Sequence, residues 1–120
     1  MQKLYYLASP YTHPSYEVMV RRFEDVCTVA AALIKTKGFN LFVPIAMSHS
    51  LQLYGDLSEK WEYWKQFDVP FLKKCDAILV VTLDGWEESV GVQEEIKIMK
   101  KLGKSVQYVH PKTLNITRQP

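Results

Sequence analysis

The chain has 120 residues, 48% of them apolar, 23% charged and 12% aromatic. These proportions suit one globular domain and exclude a disordered tail or a fibrous repeat. Fifteen Lys and Arg against thirteen Asp and Glu leave a formal charge of +2, too small an excess to predict a polymeric nucleic acid as partner.

Cys27 and Cys75 make neither a disulfide framework nor a zinc cluster, which points to a reducing compartment. The start, Met-Gln-Lys-Leu-Tyr-Tyr-Leu, lacks an apolar leader, and no stretch approaches the ~18 apolar residues of a membrane span. A cytoplasmic protein without a membrane partner is expected. An enzyme this short is also expected to complete its site with a neighbouring copy, as a homo-oligomer.

Leu4 to Ala8 reads as a buried strand ended by the turn Ser9-Pro10. From about Pro14 to Lys37 the period becomes helical. Phe23, Val26, Ala30 and Leu33 form the inward stripe, Cys27 and Ile34 widen it, and Gly38 is the C-cap. Phe39 to Ile45 reads as a second strand, and Ala46 to Leu57 as a loop carrying His49.

From Ser58, the residues Trp61, Trp64, Asp68, Phe71 and Cys75 trace a helical face that Pro70 is expected to kink or restart. Ala77 to Leu83 has the β-branched, apolar character of a central parallel strand. After the turn at Asp84-Gly85, Ser89 caps a helix running to about Leu102, with Val92, Ile96 and Met99 inward and Gly103 as the stop. Ser105 to Val109 is the last strand; residues 1–110 make the domain and 111–120 a polar tail. This alternation predicts an α/β fold: a doubly wound, flavodoxin- or Rossmann-like parallel sheet of four or five strands, ordered 2-1-3-4(-5), with helices on both faces.

Ligands of such sheets bind beyond the carboxyl ends of the strands. There is no GxGxxG after the first strand and no GxxxxGK[ST] anywhere, so neither a Rossmann dehydrogenase nor a P-loop enzyme is expected. Three scattered histidines give no metal-ligand spacing; neither a metal nor an organic cofactor is expected.

Two carboxylates stand out. Glu95 lies between Val92 and Met99 on the edge of a buried helical face, while Glu94 points toward Lys97 and Lys101. Asp68 interrupts an aromatic stripe. A carboxyl among apolar groups has a raised pKa and can act as proton donor or positioned nucleophile. The plainer readings are that Asp68 caps a turn starting at Pro70, and that Glu95 snorkels or pairs with a lysine. Ser89 is sufficiently explained as an N-cap, although Gly91 two residues on would let backbone approach a phosphate. His13 and His49 read as loop residues, and the aromatics, Tyr5 and Tyr11 included, as core.

These segments together resemble the nucleoside 2-deoxyribosyltransferase-like superfamily, in particular a small bacterial and phage branch related to the 2′-deoxynucleoside 5′-phosphate N-hydrolases. The resemblance spans about residues 3–110. It rests on LYYLASPYTHP, PIAMSHS, Asp68 with Cys75-Asp76 following, and LDGWEESVGVQEE. It implies cleavage of the N-glycosidic bond, or base exchange, on a nucleoside or nucleoside 5′-monophosphate. Glu95, from the G-x-x-x-E pattern starting at Gly91, would be the nucleophile, Asp68 the acid beside the leaving base, and Tyr5 the group that holds the glutamate.

The resemblance further implies that Ser9 and Ser89 contact the 5′ end of the substrate. The remaining substrate contacts are expected among Pro10, Tyr11, His13, His49 and Gly91. The N-hydrolases follow the first serine with an arginine; Pro10-Tyr11-Thr12-His13 stands here, so His13, Arg21 or Arg22 would have to supply that charge. The alternatives are an inactive nucleotide-binding or sensing module of the same fold, and an NAD-type glycohydrolase.

Overall fold

A computed structural model describes residues 2–120. Its elements in chain order are β1 (Leu4–Ala8), α1 (Tyr16–Lys37), β2 (Asn40–Phe42), α2 (Pro44–Gly55), α3 (Trp61–Lys74), β3 (Ala77–Val81), α4 (Val90–Lys101), β4 (Ser105–Val109) and β5 (Ile116–Thr117). The strands form one five-stranded sheet in the order β2-β1-β3-β4-β5. The first four are parallel, and β5 runs antiparallel to β4. The doubly wound α/β architecture is therefore as expected.

Two apolar cores, one on each face, hold the sheet. Leu7, Leu79, Val81 and Val109 face α1, where Val26, Val29, Ala30 and Leu33 close the layer. Tyr6, Ala8, Ile78, Val80 and Tyr108 face the other way, against Leu72 and Cys75 at the end of α3 and against Val92, Ile96 and Met99 of α4. Every residue of β3 is buried, as a strand covered by helices on both faces requires. The chain leaves β1 toward β2 by way of α1, and reaches β3 on the other side of β1 by way of α3. The sheet order therefore reverses between β1 and β3, which places a crevice beyond their carboxyl ends. Asp76 locks the opposite end of the same pair: its Oδ2 accepts the Leu4 N–H at 2.8 Å and its own N–H donates to the Leu4 carbonyl at 2.8 Å.

The helix caps follow local chemistry. Gly38 ends α1 at φ +65°, its N–H donating to the Ile34 carbonyl at 3.0 Å, the left-handed cap that glycine adopts without a Cβ clash. Ser89 caps α4, its Oγ accepting the Val92 N–H at 3.2 Å.

Four expectations are corrected. The strand predicted to reach Ile45 stops at Phe42, and residues read as a loop form α2. Pro44 occupies its first turn, where its fixed φ suits a helix and its missing N–H costs nothing. Ile45, Ser48 and His49 are buried, yet Met47, Leu51, Leu53 and Tyr54 are exposed, so apolar residues lie all round α2 and leave no periodic stripe. Pro70 starts no new helix, since α3 runs from Trp61 to Lys74 across it; burial of Trp64 and Leu72 offsets the one lost backbone donor. Asp68 is therefore a mid-helix residue and caps nothing. Phe71 and Ile34, placed inward from spacing, are exposed, and Phe71 stacks on Phe42 with ring centroids 4.6 Å apart. Finally, the 111–120 tail turns back through Leu114 to pair β5 with β4.

Candidate active site

A cleft opens beyond β1, bounded by the loop after that strand, the first turns of α2 and α4, and the inner face of α3. Each wall has a local cause. Ser9, Tyr11 and Thr12 project from the segment that must leave the sheet after Ala8. Thr12 Oγ1 donates to the Glu59 carbonyl at 2.8 Å, which ties the segment before α3 across the opening. Trp61 lies against the first turn of α4, and a Cβ at Gly91 would stand 3.5 Å from its ring.

Glu95 lies at the floor of this cleft, on the buried face of α4, and is 5% exposed. Its carboxyl accepts a hydrogen bond from the Tyr6 hydroxyl. Burial raises its pKa from 4.5 to about 8; the Tyr6 hydrogen bond acts in the opposite sense, and the negative charge of Asp68 adds to the rise. No lysine reaches it, so neither snorkelling nor ion pairing describes it. Glu94, by contrast, pairs on the surface with Lys97 at 3.7 Å.

Asp68 faces the cleft from α3, is 7% exposed, and has its pKa raised from 3.8 to about 6 by burial. Its Oδ1 and the Oγ of Ser9 are buried without a hydrogen-bond partner. Unpaired polar atoms in a cleft are costly unless a ligand satisfies them.

The residues singled out from sequence divide into three groups. Glu95, Asp68, Ser9, Tyr11, Ser89 and Gly91 line the same cleft. His49 does not line it; it is buried in α2, stacked on Phe23 at 4.2 Å, with Nδ1 2.7 Å from the Tyr11 hydroxyl. Its burial lowers its pKa, and its place is to fix the Tyr11 ring. Pro10 is buried behind the wall.

Tyr5 and His13 are corrections. The Tyr5 ring stacks on Phe39 at 4.5 Å, on the α1 side of the sheet. Strand side chains alternate between faces, so it is the next residue, Tyr6, that meets Glu95. His13 opens into a different cleft together with Arg21 and Arg22, and none of these three lines the Glu95 cleft.

Sequence reasoning missed Tyr6, although strand alternation carries the signal: Tyr6 shares a face with Ala8, whose carboxyl end borders the cleft. Ser48 and Glu59, which also line it, come from a helix without a stripe and a segment without a motif. Ser48 falls within the PIAMSHS segment of the resemblance, yet no spacing singled out either residue.

The fold and this cleft define a doubly wound α/β protein with a cleft at the strand ends, lined by two buried carboxyls. Residues 3–110 match the family model described as Domain of unknown function (DUF1937), and the chain belongs to that family. No curated protein matches it.

Proposed function

We propose that this protein cleaves the N-glycosidic bond of a nucleoside, or exchanges its base, with Glu95 as nucleophile. The observation that carries the reading is the shared cleft of two buried carboxyls, one of them held by a tyrosine hydroxyl. Support also comes from the resemblance of the surrounding segments to the nucleoside 2-deoxyribosyltransferase-like superfamily.

In this reading the Glu95 carboxylate attacks C1′ of the sugar. The C1′–N bond breaks and its electron pair leaves with the base, which takes a proton from Asp68. The product is a glycosyl ester on Glu95, as in retaining glycoside hydrolysis. Water, or a second base, then attacks C1′ as the Asp68 carboxylate takes its proton, and the ester bond to Glu95 breaks. The Tyr6 hydroxyl holds the reacting carboxyl in place throughout. Trp61 and Trp64, both lining the cleft, offer aromatic faces to the base.

The lining also separates nucleosides from nucleoside 5′-monophosphates. Glu59, Asp68 and Glu95 line the cleft, and no Arg, Lys or His does among the described residues. The Ser89 hydroxyl already accepts the Val92 N–H. A phosphate dianion beside these carboxyls would meet like charge, which favours the uncharged nucleoside.

The test is release of free base, followed by chromatography, from a panel of nucleosides, their 5′-monophosphates and NAD. Base release from a nucleoside that disappears in Glu95→Gln supports the reading. Saturable binding without release across the panel would replace it with a nucleotide-binding module, and nicotinamide release with an NAD-type glycohydrolase.

A further inference from the structure

A second cleft lies where the carboxyl ends of β3 and β4 meet the first half of α1. Its lining brings together cationic and donor groups from three separate segments: His13 after β1, Arg21 and Arg22 on α1, and His110 and Lys112 after β4. Asp25 and Asp84 are the acids in the same lining.

The two imidazoles are oriented alike. Nδ1 of His13 accepts the Ser15 N–H at 2.9 Å, and Nδ1 of His110 accepts the N–H groups of Lys112 at 3.1 Å and Thr113 at 3.2 Å. An accepting Nδ1 leaves the ring proton on Nε2. Each histidine thus offers Nε2–H as a donor, and the cleft also holds the charged groups of Arg21, Arg22 and Lys112 with the two aspartates.

Arg22 lines the second cleft and bonds to the backbone of two residues of the first. Its Nη1 donates to the carbonyls of Tyr11 at 3.3 Å and Thr12 at 3.1 Å, and its Nη2 to the carbonyl of Asp84 at 3.2 Å. Tyr11 and Thr12 are wall residues of the Glu95 cleft. Three bonds leave two of the five guanidinium N–H groups free for a ligand. Gly85 makes this seat possible: at φ +90°, a Cβ there would stand 2.5 Å from Nη2 of Arg22.

We propose that this second cleft binds a phosphate-bearing small anion, and that Arg22 transmits its presence to the wall of the Glu95 cleft. The anion takes N–H donors from His13 and His110 and charge from Arg21 and Lys112. By drawing on the Arg22 guanidinium it loosens that group's hold on the Tyr11 and Thr12 carbonyls. The inference does not depend on what the Glu95 cleft catalyses, and it is tested by binding alone.

The experiment is an amide NMR titration of the whole protein with inorganic phosphate, pyrophosphate and ATP, each against sodium chloride at matched ionic strength. Saturable shifts are expected at His13, Asp84, His110 and Lys112, together with Tyr11 and Thr12. A ranking with ATP tightest assigns the ligand to nucleotides, and equal affinity of pyrophosphate and ATP to the phosphates alone. Arg21→Gln with Lys112→Gln, both exposed positions, should weaken binding about tenfold or more at unchanged Tm. Shifts reproduced by chloride, or affinity unchanged in the double variant, would overturn the anion site. Shifts confined to the second cleft, with Tyr11 and Thr12 still, would overturn the link through Arg22.

Discussion

Replacing Glu95 by Gln tests the site and the electrostatics behind it together. Gln keeps the volume and an oxygen to accept the Tyr6 hydroxyl proton, but it cannot ionise and cannot attack C1′. Burial places the folded-state pKa of Glu95 at about 8, against an ordinary 4.5. A carboxyl raised in the folded state holds its proton where the unfolded chain has lost it. Stability is therefore undiminished below about pH 4.5 and falls as pH rises toward about 8, beyond which the loss is complete. At 1.36 kcal/mol per pH unit, the interval from 4.5 to about 8 corresponds to roughly 5 kcal/mol. Of this, roughly 4 kcal/mol develops between pH 5 and pH 9.

The assay is urea unfolding of both proteins at those two pH values, because the variant carries every other titrating group of the wild type. The stability difference, variant minus wild type, should grow by roughly 4 kcal/mol in favour of Glu95→Gln from pH 5 to pH 9, while base release is lost at both. A difference that stays constant within about 1 kcal/mol would show that Glu95 ionises in the folded protein as it does in water, and the buried-carboxyl reasoning would fall.

Three further outcomes follow from the same geometry. Tyr6→Phe removes the donor to Glu95, so the Glu95 pKa should rise further and kcat/KM for base release should fall by about 10- to 100-fold, the range of a lost hydrogen bond to a charged group; Tyr5→Phe should leave both unchanged. Asp68→Asn should slow base release by about 10²- to 10⁴-fold for an ordinary nucleoside, and far less for a leaving group that departs without a proton, as comparison of two such substrates would show. For the wild type, kcat/KM should trace a bell with limbs near pH 6 and pH 8, since below the first limb both carboxyls are protonated and above the second neither is; a profile flat across that span would contradict the pairing.

What could be read from the chain alone was whatever a local period or cap encodes. α4 is the clearest instance: Ser89 as its cap, Val92, Ile96 and Met99 inward, and Glu95 on the same buried side. Asp68 was legible for the same reason, as the polar position in an apolar stripe. α2 was not, because its apolar residues surround it and its Pro44 served equally well as a strand terminator. Tyr6 was lost to a one-residue shift in a strand, where neighbouring positions face opposite cores. β5 depends on a turn through Leu114 at φ +63° and on pairing with β4, neither of which a short polar segment advertises. The second cleft gathers residues from positions 13 to 112, and no spacing in the chain reveals such a meeting.

The two carboxyls also bear on why the proposed nucleophile lies so deep. Near neutral pH the pair holds one proton, and burial places it on Glu95 in preference to Asp68. The proposed reaction needs the opposite placement. Moving the proton across costs roughly 3 kcal/mol, from values of about 8 and about 6. The positive charge that develops at C1′ as the base departs favours an ionised Glu95, and the Tyr6 hydroxyl supports that form. Both effects are strongest in the transition state, where stabilisation raises the rate rather than merely tightening substrate binding. In the proposed reaction the free cleft thus keeps Glu95 neutral, sparing the fold a buried charge, and a substrate able to develop charge at C1′ would draw the proton to Asp68. On this argument the rate limbs belong to the pair and not to either residue, so Asp68→Asn, which leaves Glu95 the only carboxyl of the pair, should turn the bell into a single rise with pH.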